Sequence, residues 1–389
     1  MNQLAKDSAG KPQKVRVLRI IARMNVGGPA VQVSGLMRGF DPEIFQQTLL
    51  TGFCAADESD YLEKVATDVK AVRIDGLGRS IKPRADLTAL FAIIKEIRRF
   101  KPDVIHTHTA KAGVVGRIAS ILSGQKSIRV HTFHGHLLHG YFGSTKTNLI
   151  IFIEKLLALF TDQLLAVGKQ VQDDLIEAGI GNSKKFAVMP PGLQLANVPT
   201  KSEARIELGL EPNEIYCAFI GRITQIKRPD RFLDVVAKTQ TDNVKLNFIV
   251  AGAGEKLQYC QDRVNSENLP VTFLGWREDI ELVLAAVDFV ILTSDNEGTP
   301  LSLIQAGMVG IPVVATNVGS TNEIVVDGQT GFLTDLSVDQ LSEVVAKLAS
   351  DSDLRAEMGV AGKEYTLARY GVERLVKDHE DLYLRLLNR

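Results

Sequence analysis

The sequence predicts an α/β protein built from two doubly wound, Rossmann-like domains that face each other across a cleft. Three observations predict it. Short, apolar, β-rich runs alternate with helical patterns along almost the whole chain, which is how a parallel sheet covered on both faces reads. The alternation runs through once, meets a polar stretch at 192–202 carrying Pro199, and starts again. The 389 residues suffice for two domains of ordinary size, each with its own core.

In the first half, strand patterns occur at 15–21, 48–51, 71–74, 104–108, 128–133, 163–167 and 186–189. Helical patterns separate them at 30–38, 84–100, 111–122, 147–160 and 169–178. The second half has strand patterns at 215–220, 246–251, 271–274, 289–293 and 313–316, and ends in helices at 338–349, 352–370 and 372–387. This gives an N-terminal domain over 1–195, a C-terminal domain over 196–370 and a last helix over 371–389. The stretch 147–160 is apolar nearly all round, with a thin polar stripe that includes Glu154 and Lys155. Such a helix is expected to be buried in its own domain; the competing reading is a helix dipping into a membrane surface.

Hydrophobic residues make up 45% of the chain and charged residues 23%, without low-complexity tracts, so an ordered globular protein is expected. The three cysteines are far apart and fit a reducing compartment. No signal peptide is visible, 1–14 is polar and expected to fray, and the longest apolar stretch is broken by charges. A cytoplasmic protein follows as the expectation, placed at the inner face of the membrane if it binds there. The net charge of −1 conceals a split: residues 1–195 carry 26 basic and 17 acidic side chains, and the remainder carry 19 and 29. Either the basic half meets something anionic, such as a membrane surface, or the two halves attract each other. No nucleic-acid partner is expected.

The most informative stretch is Glu297-Gly-Thr-Pro-Leu-Ser-Leu-Ile-Gln305, which follows an apolar strand and reads as the opening of a helix. A carboxylate and an amide eight residues apart would then point along one helix edge. Free backbone N–H groups between them offer an anion or hydroxyl site, which suits a nucleotide-sugar. Arg222 and Lys227 lie in the loop leaving the first strand of the second half, where two cations can neutralise a leaving diphosphate. Near the N-terminus, Gly27-Gly-Pro29 leads from a strand into a helix and lets backbone approach a ligand closely, or merely makes a tight turn. Six of the seven histidines lie between 106 and 139, at what read as two strand exits. Zinc is one reading, but no acid or cysteine is interleaved and no metal is expected. One or two of these imidazoles are better suited to bonding a sugar hydroxyl. His108, Lys111, His136 and His139 are the acceptor-side candidates.

Together these pieces resemble the family 4 glycosyltransferases, retaining enzymes of the GT-B fold. The resemblance rests on Gly27-Gly-Pro29, Phe133-His-Gly135, Gly221-Arg-Ile with Lys227, Ala251-Gly-Ala-Gly254, Glu297-Gly-Thr-Pro-Leu-Ser and Thr330-Gly-Phe-Leu333. It implies that Gly28 presents backbone to the donor diphosphate and that Arg222 and Lys227 bind the same phosphates, beside Gly221. Glu297 would hold hydroxyls of the transferred sugar, with Gly298, Thr299, Pro300 and Leu301 near the sugar and phosphate. His134 would reach the reaction centre, and the last helix would cross back onto the N-terminal domain. One position departs from the family pattern of two glutamates: Gln305 stands where the second, which holds the ribose, is expected. Glutamine keeps one acceptor oxygen and loses the charge, a cost of about 1 kcal/mol in binding.

The implied activity is transfer of a hexosyl unit from a nucleotide diphosphate sugar, UDP being the expected nucleotide, to a sugar or lipid-linked sugar acceptor. A role in polysaccharide or glycolipid assembly follows. The donor is a co-substrate, and neither cofactor nor metal is expected. Two other readings stand beside it: a nucleotide-sugar epimerase or hydrolase on the same fold, and a non-catalytic scaffold in which Gln305 marks a decayed site.

Overall fold

The computed structural model describes residues 14–388 apart from 57, 136–143, 196 and 243, with side chains left out for 144–146. The candidates His136 and His139, and the N-terminal segment 1–13, lie outside the described residues. The chain divides into two compact units, Met1–Leu193 together with Gly371–Arg389, and Gln194–Tyr370.

The first unit is built on seven parallel strands: β1 (Val15–Ile21), β2 (Phe45–Thr51), β3 (Val72–Arg73), β4 (Val104–His108), β5 (Ile128–Phe133), β6 (Gln163–Ala166) and β7 (Phe186–Val188). Between them run α1 (Gly28–Gly39), α2 (Tyr61–Lys64), α3 (Pro83–Phe100), α4 (Ala110–Leu122), α5 (Ser144–Leu159) and α6 (Lys169–Glu177). The strand order is β3-β2-β1-β4-β5-β6-β7, so the chain reverses direction across the sheet between β1 and β4. Every residue of β4 and β6 is buried, as expected for central strands covered on both faces.

The second unit repeats the plan with β8 (Tyr216–Ile220), β9 (Asn247–Ala251), β10 (Val271–Gly275), β11 (Phe289–Leu292), β12 (Val313–Thr316) and β13 (Gly331–Thr334), in the order β10-β9-β8-β11-β12-β13. Its helices are α7 (Lys201–Leu208), α8 (Pro229–Thr241), α9 (Leu257–Glu267), α10 (Ile280–Ala286), α11 (Leu301–Val309), α12 (Thr321–Ile324), α13 (Val338–Ser350) and α14 (Ser352–Tyr370). The polar stretch read as a linker over 192–202 is shorter than that, because α7 starts inside it. Thr200 and Glu203 close a reciprocal capping box there, and this local bonding outweighs the polar composition.

The final helix, α15 (Val372–Leu386), packs against α1 and places Leu375, Val376, Leu382 and Tyr383 in the core of the first unit beside Val15, Val17 and Leu36. Its apolar residues recur at helical spacing on one face, which is why it needs a partner surface to be stable.

Two sequence expectations fail here for physical reasons. Glu297 is not on a helix: α11 begins four residues later, at Leu301 with Pro300 as its N-cap, so Glu297 and Gln305 do not share a helix edge. Proline disfavours helical geometry in the residue before it, which keeps 297–299 irregular. The second failure is α5, expected to be buried. It turns Glu154 inward, to 5% exposure, and leaves Leu149, Phe152, Leu156 and Leu159 exposed. A charged partner decides this: Arg117 on α4 is itself buried and donates to Glu154 Oε2 at 2.6 Å, fixing which side of α5 faces in.

Candidate active site

In the second unit the strand order reverses between β8 and β11, and their exits lie side by side. Ligands of doubly wound sheets bind outside the strand C-termini at such a point. The loop after β8 carries Gly221, Arg222 and Lys227, and the loop after β11 carries Ser294, Glu297, Gly298, Thr299 and Pro300.

Three consecutive residues fix these loops, Thr293 and Asp295 by joining one to the other and Ser294 within its own. Thr293 Oγ1 donates to the carbonyl of Lys227 at 3.0 Å, Ser294 Oγ donates to Glu297 Oε1 at 2.5 Å, and the Asp295 amide donates to the carbonyl of Ile226 at 2.9 Å. Lys227 Nζ then donates to the same Glu297 oxygen at 2.5 Å. A cation and a carboxylate from two strand exits therefore meet, seventy residues apart in sequence. Below them, Arg231 on α8 is buried and joins the carbonyl of Thr293 to the carboxylate of Asp295. Arg222, by contrast, is exposed and makes no ion pair with any described residue.

Glycine is required where backbone crosses backbone. A Cβ on Gly252, in the turn after β9, would sit 1.8 Å from the carbonyl oxygen of Gly221. A Cβ on Gly319 would sit 1.8 Å from the carbonyl oxygen of Glu297, and Gly319 also has φ of +53°. The glycines at 252 and 319 thus press the two site loops into place from either side.

Gln305 lies on α11, partly buried, and its side chain has no hydrogen-bond partner among the described residues. Leu301 opens that nine-residue helix, and first-turn amides have no partner within their own helix.

The sequence candidates in the first unit are arranged differently. Gly28 is the first residue of α1, with Pro29 next to it and Gly27 at φ of +156° as the N-cap. Lys111 does not face outward: its Nζ donates to the carbonyls of Gly76 and Ser80 and pairs with Asp86 at 2.7 Å, which ties down the loop before α3.

Of the described histidines in the two clusters, His106 and His131 lie inside their strands, His108 ends β4 and His134 follows β5. His106, His108 and His131 are fully buried or nearly so. His106 Nε2 bonds Thr132 Oγ1 at 2.7 Å, and its Nδ1 bonds the Tyr383 hydroxyl at 2.5 Å. His131 Nδ1 bonds Thr107 Oγ1 at 2.8 Å. His108 Nδ1 and His134 Nε2 are hydrogen-bonded at 3.1 Å. The seventh histidine, His379 on α15, stacks on His106 with ring centroids 5.7 Å apart. Burial pushes all five down, His134 to about 4 and His379 to about 3, so they are neutral at pH 7. His134, only partly buried, is the one at the rim of this cluster. Among the described residues no group of three His, Cys, Asp or Glu could hold a metal ion.

Comparison with known proteins closes the question of family. The model described as Glycosyltransferase Family 4 matches residues 26–197, and the model described as Glycosyl transferases group 1 matches residues 200–365. The chain belongs to the family 4 glycosyltransferases. This glycosyltransferase is 28% identical over 345 residues to the UDP-Gal:alpha-D-GlcNAc-diphosphoundecaprenol alpha-1,3-galactosyltransferase of Escherichia coli, covering 85% of this chain and 86% of that one. It is 22% identical to the capsular polysaccharide biosynthesis glycosyltransferase CapM of Staphylococcus aureus, over 83% and 91% of the two chains. Its fold is GT-B, similar to that of HepE from Anabaena solved with UDP and glucose, with a TM-score of 0.80, 20% identity, and coverage of 95% and 99%. Of the three readings of the sequence, the transferase is the one that stands.

Sequence reasoning missed Thr293, Ser294, Gly319 and Arg231 as parts of the site. Only Ser294 carried a local signal, a hydroxyl at a strand exit three residues before the carboxylate. The others act through contacts that no short-range pattern displays. No helix among the described residues is long and apolar enough to cross a membrane.

Proposed function

We propose that this glycosyltransferase moves a hexosyl unit from a UDP-sugar to a sugar or lipid-linked sugar acceptor, with retention at the anomeric carbon and without a metal. The observation that carries the donor side is the contact between Lys227 and Glu297. The two side chains neutralise each other across this contact. A diphosphate draws Lys227 to its own negative charge, together with Arg222, and that frees Glu297 to accept hydroxyls of the sugar. Gly221 approaches the phosphates with backbone, while Gly298, Thr299, Pro300 and Leu301 line the sugar and phosphate side of α11. Gln305, whose side chain has no hydrogen-bond partner among the described residues, bonds the ribose through its amide.

In this reading the acceptor hydroxyl attacks the anomeric carbon on the face the nucleotide leaves. The carbon–phosphate-oxygen bond breaks, and the acceptor proton passes to the departing phosphate oxygen. Lys227 and Arg222 stabilise the charge that develops there. The Escherichia coli relative is named for a sugar carried on diphosphoundecaprenol, which supports a lipid-linked acceptor in surface polysaccharide assembly. The basic residues of the first unit support peripheral contact with an anionic membrane surface.

Thermal unfolding in EDTA with UDP, GDP, ADP and their sugar conjugates tests the donor assignment. At a hundredfold excess over Kd, a ligand of the native state stabilises by about 2.7 kcal/mol. Stabilisation by UDP and a UDP-sugar is expected. A response to GDP or ADP alone would replace the base, and silence across the panel would remove the donor site.

A further inference from the structure

The surface formed by α3, α4 and α5 combines two properties that rarely coincide without a partner. The first is an inverted helix. On α5 the side chains Leu149, Phe152, Leu156 and Leu159, with Phe160 just beyond, recur at three- and four-residue intervals and are 45–69% exposed. The acidic residue of that helix is the one turned inward, onto buried Arg117. Soluble helices do the opposite, because each exposed large apolar side chain forgoes about 1.5–3 kcal/mol of burial. Nearby, Leu122 ends α4 exposed, and Leu87 and Phe91 are exposed on α3, which packs on α4 as α4 packs on α5.

The second property is charge. Residues 82–160 hold 12 Lys and Arg against 4 Asp and Glu, a net of +8 out of the +9 found over residues 1–195. All four acids are engaged: Asp86 with Lys111, Glu96 with Arg99, Glu154 with Arg117, and Asp103 with the amide of Arg16. The basic excess therefore faces outward, through exposed Lys82, Arg84, Lys95, Arg98, Lys126 and Lys155. At the C-terminal end of α5, Lys185 Nζ caps the carbonyls of Ala158, Leu159 and Thr161, and Arg129 Nη1 that of Phe160. Two cations thus flank the exposed Leu159 and Phe160.

We propose that the apolar stripe of α5 is the surface by which this protein docks on an anionic lipid bilayer, with the helix lying along the headgroup boundary and the cations of the α3–α5 layer against lipid phosphates. An apolar stripe bordered by lysine and arginine is the pattern of an interfacial helix. A protein partner would need acidic groups around an apolar groove to match both properties, whereas an anionic bilayer supplies them together. The proposal rests on the peripheral membrane contact stated above and says which surface makes it.

The test is co-sedimentation of the full chain with vesicles of phosphatidylcholine, with and without phosphatidylglycerol, at low ionic strength. Phe152→Ser combined with Leu156→Ser is the diagnostic variant, since both side chains are already in water and the change leaves the core intact. Its UDP-induced thermal shift is measured alongside and should match that of the unsubstituted protein. The expected result is binding to the anionic vesicles only, weakened at least tenfold in the variant. Undiminished binding by the variant would overturn the assignment to α5 while leaving a membrane contact elsewhere. No vesicle binding by the unsubstituted protein would overturn both. A dimer in solution that the variant abolishes, without vesicle binding, would give the stripe to a second copy of the chain. Loss of the UDP response alone would strike the donor reading and leave this one.

Discussion

Lys227 and Glu297 share one short contact, and the proposed mechanism needs each of them elsewhere when a donor binds. Ser294 donates to the same carboxylate oxygen as Lys227, so Glu297 has a second partner within its own loop. Lys227→Ala is expected to lower turnover at least tenfold with the fold intact, at some cost in unfolding temperature because buried Glu297 is left with Ser294. Full turnover in that variant would take Lys227 out of the mechanism. Gln305 gives a prediction of opposite sign. Gln305→Glu would put a carboxylate where the ribose is proposed to bind, and a charge-assisted bond gains about 1 kcal/mol over a neutral one, close to fivefold in Kd. Calorimetry with UDP would show tighter binding; an unchanged Kd would mean that residue 305 does not touch the ribose. Both residues were legible as candidates from their strand-exit and helix positions. Their geometry was not, because a proline three residues after Glu297 holds it off the helix.

Among the elements, α5 teaches most about how a local pattern is resolved. A helix apolar nearly all round has no preferred face until something specific claims one. Here the claim comes from Arg117 on α4, which is buried, donates to the carbonyl of Gly113 and needs the carboxylate of Glu154. Removing one partner strands the other charge in the core, so Glu154→Ala should destabilise by about 3–5 kcal/mol. Replacing both, Arg117→Met with Glu154→Met, should recover most of that loss. Chemical denaturation of the two variants separates these outcomes, and equal destabilisation would show that the pair contributes something beyond mutual neutralisation. The same logic limits what periodicity could say about the strands. The pattern located β4 and β5 with the bounds they have, and His108 and His134 do stand at their ends, but it could not show that His106 and His131 are buried inside the strands.

At the scale of the whole molecule, the first unit carries a pH sensitivity in its centre. His106, His108, His131 and His379 are buried and His134 is partly buried, all pushed below the ordinary imidazole value by burial first and by neighbouring cationic groups in most cases. In the unfolded chain each titrates near 6.5. Above that value both states are unprotonated and stability is flat. As pH falls from about 6.5 toward 4 the unfolded chain takes up protons that the folded one refuses, so stability falls. Each such imidazole contributes up to about 1.4 kcal/mol per pH unit in that window. Urea midpoints at pH 7.5, 6 and 5 should therefore decline before the carboxylates begin to titrate. A flat series would mean that the cluster opens to water.

The sequence by itself determined every strand of both sheets except β13, the two-sheet α/β class, the family and most of the donor-side candidates. Those follow from short-range information: residue alternation, glycines and prolines at turns, and cations at strand exits. Tertiary structure decided which of these residues meet. Lys227 reaches Glu297 because β8 and β11 are neighbours though far apart in sequence, and His379 joins four other histidines because α15 packs onto the first unit. It also decided that Lys111 serves a loop and that α5 keeps its apolar side in solvent. Such outcomes depend on strand order and on buried charges seeking partners, and those are properties of the packed chain that no window of sequence contains.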